Sequence, residues 1–364
     1  MQRSQWRALF DETIMRSLEW NSENKSLRAI DQRLIPAQLA YVDLGDVAAV
    51  AEAIRTMVVR GAPAIGVAAG YGVALAAWET KLSDINAYKE KVFQAISDLR
   101  QSRPTAINLT FALDRMGKVL EDEKLSTDQL RIRLEEEAIK IDQENTADCF
   151  AISQYGAELI QDGDTIIHHC NTGGLATVEW GTALGAIHMA YQQGKRIHVL
   201  VDETRPRLQG ARITAWELQQ FGIPFDIITD NSAGYFLSKG KVDKVFFGAD
   251  RVARNGDVAN KVGTYMLALA AFHNKVPVYS IFPISSVDFQ LPDGEAIPIE
   301  ERDPLEVLDI QQHGEPVVPH GSTALNPAFD VTPHELITGW VTEKGMINPP
   351  FEQNISKITS LSRS

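Results

Sequence analysis

The sequence predicts an α/β chain in which a mostly helical N-terminal domain with a small sheet precedes a domain built on a doubly wound parallel sheet. Three observations carry this. From Asp46 to about Ile160 apolar residues recur at helical spacing between capping and breaking residues. After Asp162-Gly163 the rhythm changes to apolar runs of strand length alternating with helical stretches, the pattern of parallel strands joined by crossover helices. At 364 residues the chain exceeds the usual size of one domain. The expected division is a helical domain over 1–145, a Rossmann-like catalytic domain over 146–350 and a frayed tail over 351–364.

Residues 1–45 mix short apolar runs with polar breaks, as in LRAIDQRLIP, and read as short strands and turns. Val47, Val50, Ala51, Ile54, Met57 and Val58 then share one helix face, with Asp46 as N-cap and Gly61 as stop. Pro63 suits the first turn of the next helix, whose opening turns (AIGVAAGYG) lack bulk, so its backbone can approach neighbours closely. Helices fit Asp84–Gln101 and Thr105–Leu120, separated at Ser102-Arg103-Pro104, and Ser126 or Thr127 caps a long one reaching about Ile160. In the second half the strands are DTIIHHC, RIHVLVDET, FDIITDN, KVFFGAD and VPVYSIFP, with helices at Leu175–Gln193, Leu208–Phe221 and Ala259–Asn274. Residues 284–325 show little periodicity and include the acidic run GEAIPIEERDP, which suggests a lid or an interface arm.

Composition narrows the function. With 35 Lys+Arg against 48 Asp+Glu the chain carries −13, which argues against nucleic acid as a partner. A small anionic substrate stays open, because a few cations and backbone amides set the field of a pocket whatever the net charge. Two cysteines, Cys149 and Cys170, exclude a disulfide framework and a multi-cysteine zinc site and fit a reducing compartment. The N-terminus lacks the apolar core of a signal peptide and no stretch has the length and apolarity of a membrane span, so a cytoplasmic protein is expected.

In a doubly wound sheet ligands bind beyond the carboxyl ends of the strands, which here read HHCNTGG, DETRPRLQG, TDNSAG and GADRVARNGDVANK. Cys170 ends the first strand before a helix whose positive end would lower a thiol pKa; the alternative is a small core residue. His168 and His169 invite a metal with Cys170, yet strand alternation turns His169 to the opposite face and no further ligand cluster completes a set, so no metal is expected. Asp250 ends KVFFGAD and would lie over the same sheet edge as Cys170, as a proton-exchanging carboxyl or as a turn aspartate. Asn255-Gly256-Asp257 signals a tight turn, and Asn260-Lys261 would open the following helix as an anion site. Arg60-Gly61-Ala62-Pro63 sets an arginine and bare amides at a helix start, for phosphate cradling or for tight packing. Neither GxxxxGK[ST] nor GxGxxG occurs, so no nucleotide site is proposed.

The segments RGAPAIGVAAGYGVALA, SRPTAINL, HCNTGGLAT, WGTALG, VDETRPRLQGARITAWEL, DNSAG, GADRVARNGDVANKVGTY and NPAFDVTPHELIT together resemble the methylthioribose-1-phosphate isomerase family. These are methionine-salvage enzymes homologous to the regulatory subunits of eukaryotic initiation factor 2B, and the resemblance runs from about Asp31 to Gly345. It implies isomerisation of 5-methylthioribose 1-phosphate to 5-methylthioribulose 1-phosphate without a cofactor, by a homodimer joined through its α/β half. It implies Asp250 as proton donor and Cys170 as the residue that assists transfer or stabilises the transition state. Arg60, Gly61, Ala62, Arg103, Gln209, Asn260 and Lys261 match the substrate-binding positions, Arg103 and Gln209 by resemblance alone. One departure is the loop after Cys170, which reads Asn-Thr-Gly-Gly where the family more often has Asn-Ala-Gly-Ala.

Two rival expectations follow. A sister isomerase would act on 5-deoxyribose 1-phosphate or ribose 1,5-bisphosphate, the latter needing a second cationic cluster. A non-catalytic ligand sensor like the initiation-factor subunits would keep the fold without the reaction; the presence of both Cys170 and Asp250 argues against it.

Overall fold

In a computed structural model, which describes residues 15–103 and 106–361, the chain opens on an antiparallel sheet of strands β1 (Leu18–Asn21), β2 (Ser26–Ile30) and β3 (Tyr41–Leu44). Helix α1 (Val47–Arg55) follows, capped by Asp46, whose carboxylate accepts from the Ala49 amide at 2.6 Å. Helix α2 (Ala62–Glu79) is buried on all sides, which its small residues permit: a Cβ on Gly66 would stand 2.8 Å from the Asn108 carbonyl oxygen of helix α4. Helices α3 (Ile85–Ser102), α4 (Ile107–Leu120) and α5 (Thr127–Glu158) complete the bundle, the last begun by a Ser126/Gln129 capping box. Pro104, expected to separate α3 from α4, and Thr105, expected to open α4, lie outside the described residues. The boundary expected at 145/146 falls inside α5, which packs on both α2 and the later helix over Ala183–Gln192.

The second half is a seven-stranded sheet. Strands β4 (Thr165–His168), β5 (His198–Asp202), β6 (Phe225–Ile228), β7 (Lys244–Phe247), β10 (Val278–Ile281) and β15 (Gly339–Thr342) run parallel, and β16 (Gly345–Ile347) closes one edge antiparallel. Spatial order is β16-β15-β10-β7-β4-β5-β6. The chain therefore winds outward from β4 to β6, returns, and winds the other way from β7. The reversal between β4 and β7 is where such sheets open a crevice for ligands. A smaller sheet, β11 (Val287–Asp288), β8 (Arg251–Ala253), β9 (Val258–Lys261) and β14 (Phe329–Thr332), continues from the end of β7.

Several expected elements differ. The helix expected over Leu175–Gln193 is two, α6 (Gly174–Thr177) and α7 (Ala183–Gln192), because Val178, Trp180 and Gly181 all hold positive φ (125°, 65°, 98°). That turn buries Trp180 edge-on against Phe150 and returns the chain to the Cys170 loop, where the Thr182 amide donates to the Thr172 carbonyl at 2.7 Å. The next begins as a π-helical turn, Gly210–Thr214, before α8 (Ala215–Phe221). Asn260 and Lys261 do not open a helix: they end strand β9, paired with β14, and helix α10 (Thr264–His273) starts only after Gly263 at φ 103°. Residues 284–325 are irregular as expected, with β11, a short helix α11 (Leu305–Leu308) and a hairpin of β12 (Gln311–Gln312) and β13 (Glu315–Pro316). The tail expected to fray is instead helix α12 (Phe351–Leu361), because Phe351 is buried and stacks on Trp340 at 4.2 Å.

Candidate active site

The crevice between β4 and β7 is roofed by the start of α2 and by residues 284–325, leaving a cavity of about 710 Å³. Cys170 and Asp250, just past the ends of neighbouring strands, both line it. Arg60, Gly61, Ala62 and Arg103 enter from the helical half, Gln209 from the loop before α8, and Asn260 and Lys261 from β9. Every residue expected at the site thus borders one space, although Asn260 and Lys261 reach it from a strand.

Cys170 sits at φ 67°, a left-handed conformation that costs a non-glycine residue roughly 1–2 kcal/mol. Neighbours hold it there: the Thr204 hydroxyl accepts from its amide at 3.0 Å, and the Thr214 hydroxyl donates to its carbonyl at 2.7 Å. The thiol is not lowered as its position before a helix suggested. Burial pushes it up against the pull of Arg60 and Lys261, and the helix that follows is a single turn. Asp250 is likewise raised by burial, opposed by Lys261, Arg103 and Arg60. The direction of the shift is towards the protonated form that a general acid uses.

Arg60 grips the Asn171 side-chain oxygen at 2.7 Å and the Asn171 carbonyl at 3.1 Å. Lys261 donates to the Ala328 carbonyl at 2.6 Å and lies over the Phe329 ring. Among the described residues neither has a carboxylate within ion-pair distance; burial lowers the pKa of both, opposed by the nearby Cys170 and Asp250, and an anion bound beside them would favour their charged forms. Arg103 Nε and Gln209 Oε1 are buried without a hydrogen-bond partner among the described residues, leaving polar capacity for a ligand. The motif RGAP has a packing role as well: at Gly61, φ 95°, a Cβ would stand 2.3 Å from the Ala176 carbonyl oxygen.

The histidines are structural. His168, held near pKa 3 by burial, points at the Thr172 hydroxyl at 2.9 Å, and that hydroxyl also accepts from the Leu184 amide at the start of α7. Thr172, the departure noted in the loop, is therefore its anchor. His169 bridges Asp202 (2.8 Å) and the Val262 carbonyl (3.1 Å), so both ring nitrogens are committed. His169, Asp202 and Asp230 lie close enough for a metal, but Asp230 is occupied by the Thr204 and Arg205 amides, each at 2.7 Å.

Sequence reasoning missed Arg302, which borders the cavity from the aperiodic segment and pairs with Glu306 at 2.7 Å. Glu306 also takes Arg207 at 2.7 Å. It missed a second lobe of about 470 Å³ that shares Gly61, Ala62, Arg103, Asp250 and Phe329 with the first and is walled by Ile65, Ala106, Ala259, Ile297 and Pro298, with Arg251 at its border. It missed the buried carboxylate of Glu217, bonded to Asn171.

A parallel α/β sheet with its cationic crevice at the strand reversal, joined to a helical bundle through α5, defines the class: the chain belongs to the initiation factor 2 subunit family, whose sequence profile matches residues 58–349. Within that family its likeness is to methylthioribose-1-phosphate isomerases. It is 49% identical over 346 residues to methylthioribose-1-phosphate isomerase 2 of Pseudothermotoga lettingae, covering 95% of this chain and 99% of that one. The crystal structure of 5-methylthioribose 1-phosphate isomerase from Pyrococcus horikoshii superposes with a TM-score of 0.86 at 40% identity, covering 95% and 96% of the two chains. That of the delta subunit of translation initiation factor 2B from A. fulgidus gives 0.82 at 39% identity, covering 95% and 99%.

Proposed function

We propose that the protein is an aldose–ketose isomerase of methionine salvage that converts 5-methylthio-α-D-ribose 1-phosphate to 5-methylthio-D-ribulose 1-phosphate. The observation that carries the reading is the meeting of Cys170 and Asp250 with the unpaired cations Arg60 and Lys261 in one cavity at the strand reversal. Phosphate on the anomeric oxygen blocks spontaneous opening of the sugar ring, so an acid must protonate the ring oxygen as the C1–O bond breaks. Asp250, whose pKa burial raises, supplies that proton. Hydrogen then moves from C2 to C1 beside Cys170, which assists the transfer or stabilises its transition state. C2 is oxidised as C1 is reduced, and the proton lost from the C2 hydroxyl replaces the one given to the ring oxygen, so the reaction balances within one molecule and needs no redox cofactor. Arg60, Gly61, Ala62, Arg103, Gln209, Asn260 and Lys261 bind substrate, with Arg60 and Lys261 on the phosphate.

The apolar walls of the second lobe favour a methylthio group over a second phosphate at C5. Of the cations in and around it, Arg207 and Arg302 are paired with Glu306, Arg103 with Glu300 at 3.3 Å, and Arg251 stands 3.8 Å from Asp288. Helices α9 (Ala233–Ser238) and α10 expose Tyr235, Met266, Leu269 and Phe272, an apolar face that supports a homodimer through the α/β half. Two free, buried cysteines fit a reducing cytoplasm, and no described helix is long and apolar enough to cross a membrane.

Proton NMR of the purified protein with 5-methylthioribose 1-phosphate, beside Cys170→Ser and the two rival sugar phosphates, tests the reading. Ketose formed from the methylthio sugar and lost in the variant is the expected result. Turnover of a rival alone would change the substrate. The likeness to an initiation-factor subunit supports one alternative, a ligand sensor, which inactivity on all three sugars would favour.

A further inference from the structure

Beneath the Cys170-Asn171 peptide lies a carboxylate that the proposed reaction does not use. Glu217, on α8, is 4% exposed and has no cation within ion-pair distance among the described residues. It accepts from Asn171 Nδ2 at 2.6 Å and from the Leu175 amide at 3.2 Å. The chain leaves room for it: a Cβ on Gly173 would stand 2.4 Å from each of its carboxylate oxygens. Burial pushes the Glu217 pKa up, opposed first by the Asn171 hydrogen bond and then by the Leu175 amide and the charge of Arg60, so its carboxylate form depends on the groups that donate to it and constrains them in turn.

The group constrained is Asn171. Its Nδ2 is committed to Glu217 and to the Thr214 hydroxyl at 3.1 Å, so Oδ1 faces the opposite way and accepts from Arg60 at 2.7 Å. The Asn171 carbonyl takes a second guanidinium N–H at 3.1 Å. A carboxylate accepts only and a guanidinium donates only, so the carboxamide between them has one satisfactory orientation. We infer that Glu217 is a positioning residue which, through Asn171, aims the Arg60 guanidinium at the substrate phosphate.

The inference rests on the isomerase reading for the phosphate being part of the substrate. It separates from a purely electrostatic role by the sign of its effect. A carboxylate near Arg60 acting only through its charge weakens anion binding, so neutralising it would tighten phosphate. A carboxylate that orients Asn171 does the reverse. In Glu217→Gln one amide must meet both the Leu175 amide and Asn171 Nδ2. Whichever way it turns, it sets donor against donor or flips Asn171 so that Nδ2 faces Arg60. Glu217→Asp keeps the charge and loses the reach.

The experiment is calorimetric titration of the full-length protein and both variants with inorganic phosphate, with melting curves to identify folded material, and KM and kcat for 5-methylthioribose 1-phosphate. Both variants are expected to bind phosphate at least tenfold more weakly and to raise KM in parallel, with kcat within about threefold of the parent. In an Asn171→Ala background, adding Glu217→Gln should change the phosphate Kd by less than twofold, because the route to Arg60 is already cut. Tighter phosphate binding by the Gln variant with no change in the Asp variant would overturn the inference, as would losses that multiply in the double variant, or a fall in kcat alone. If either variant fails to fold, the other still decides. Parent protein that binds phosphate but isomerises nothing would remove the isomerase reading and leave the role of Glu217 standing; parent protein that binds no phosphate would remove both.

Discussion

Replacing Gly61 by alanine separates two demands that the start of α2 makes on its backbone. Gly61 and Gly163 share the same φ of 95°, but nothing lies within 4 Å of a Cβ built on Gly163, whereas one on Gly61 would meet Ala176 at 2.3 Å from its oxygen and 2.5 Å from its Cα. Gly163→Ala therefore measures the conformational penalty alone, roughly 1–2 kcal/mol. Gly61→Ala adds overpacking against backbone that cannot rotate away, typically about 1–3 kcal/mol, for a total of about 2–5 kcal/mol. The clash is relieved if the Arg60–Ala62 turn backs off helix α6. A displacement of about 1 Å at a substrate-positioning group can cost on the order of 100-fold in rate. Urea denaturation and steady-state kinetics of the two variants give both quantities. Gly61→Ala is expected to lose more stability than Gly163→Ala and to lose kcat/KM by about 100-fold, while Gly163→Ala retains it. Equal stability losses, or full activity in Gly61→Ala, would refute the claim that this contact sets Arg60.

Asp250→Asn keeps the shape and removes the acid, so turnover should fall by about 100- to 10,000-fold. Because the folded-state pKa of Asp250 is raised, its ionisation cost is absent below its unfolded pKa and grows as pH rises through the folded one. The variant should accordingly gain stability relative to the parent in denaturation at pH 8 compared with pH 4. In the parent, kcat/KM should decline on the alkaline side as Asp250 ionises. Ile297→Lys places a cation in the apolar lobe and should lower kcat/KM for the methylthio sugar at least tenfold while raising relative turnover of ribose 1,5-bisphosphate, read by competition between the two substrates. Phe351→Ala removes the ring stacked on Trp340 and should cost about 3–5 kcal/mol in urea denaturation, with kcat unchanged.

The parts of the site legible in the sequence are those fixed by strand ends and bare backbone. Cys170 and Asp250 follow uninterrupted apolar runs, so their height above the sheet was set once the strands were found, although the order that makes β4 and β7 neighbours was not. Asn260 and Lys261 were assigned to a helix because Val258-Ala259 precedes the helical LALAA without a breaker other than Gly263. Pairing with β14, whose residues lie far along the chain, turned them into a strand. The break at Val178–Gly181 carries only one glycine, and its other positive-φ residues are held by burial of Trp180, a tertiary contact that no local pattern records. Arg302 and Ile297 come from a segment without periodicity, and Glu217 reads as an ordinary polar position of a helix. Their roles depend on what lies opposite them, not on their neighbours in sequence.

The electrostatics of the cavity follow from which cations are left unpaired. A chain of net charge −13 nevertheless presents a cationic crevice, because its acids are spent elsewhere. Glu306 neutralises Arg207 and Arg302, and Glu300 faces Arg103 at 3.3 Å, while Arg60 and Lys261 are held by neutral oxygens. Neutral acceptors fix a cation's position without cancelling its charge, which suits a site that must bind a phosphate and release it as product. The same two cations oppose the burial that raises Cys170 and Asp250. A bound phosphate dianion would offset that opposition, so on the proposed reading substrate arrival would itself raise the Asp250 pKa further when the ring oxygen is to receive a proton.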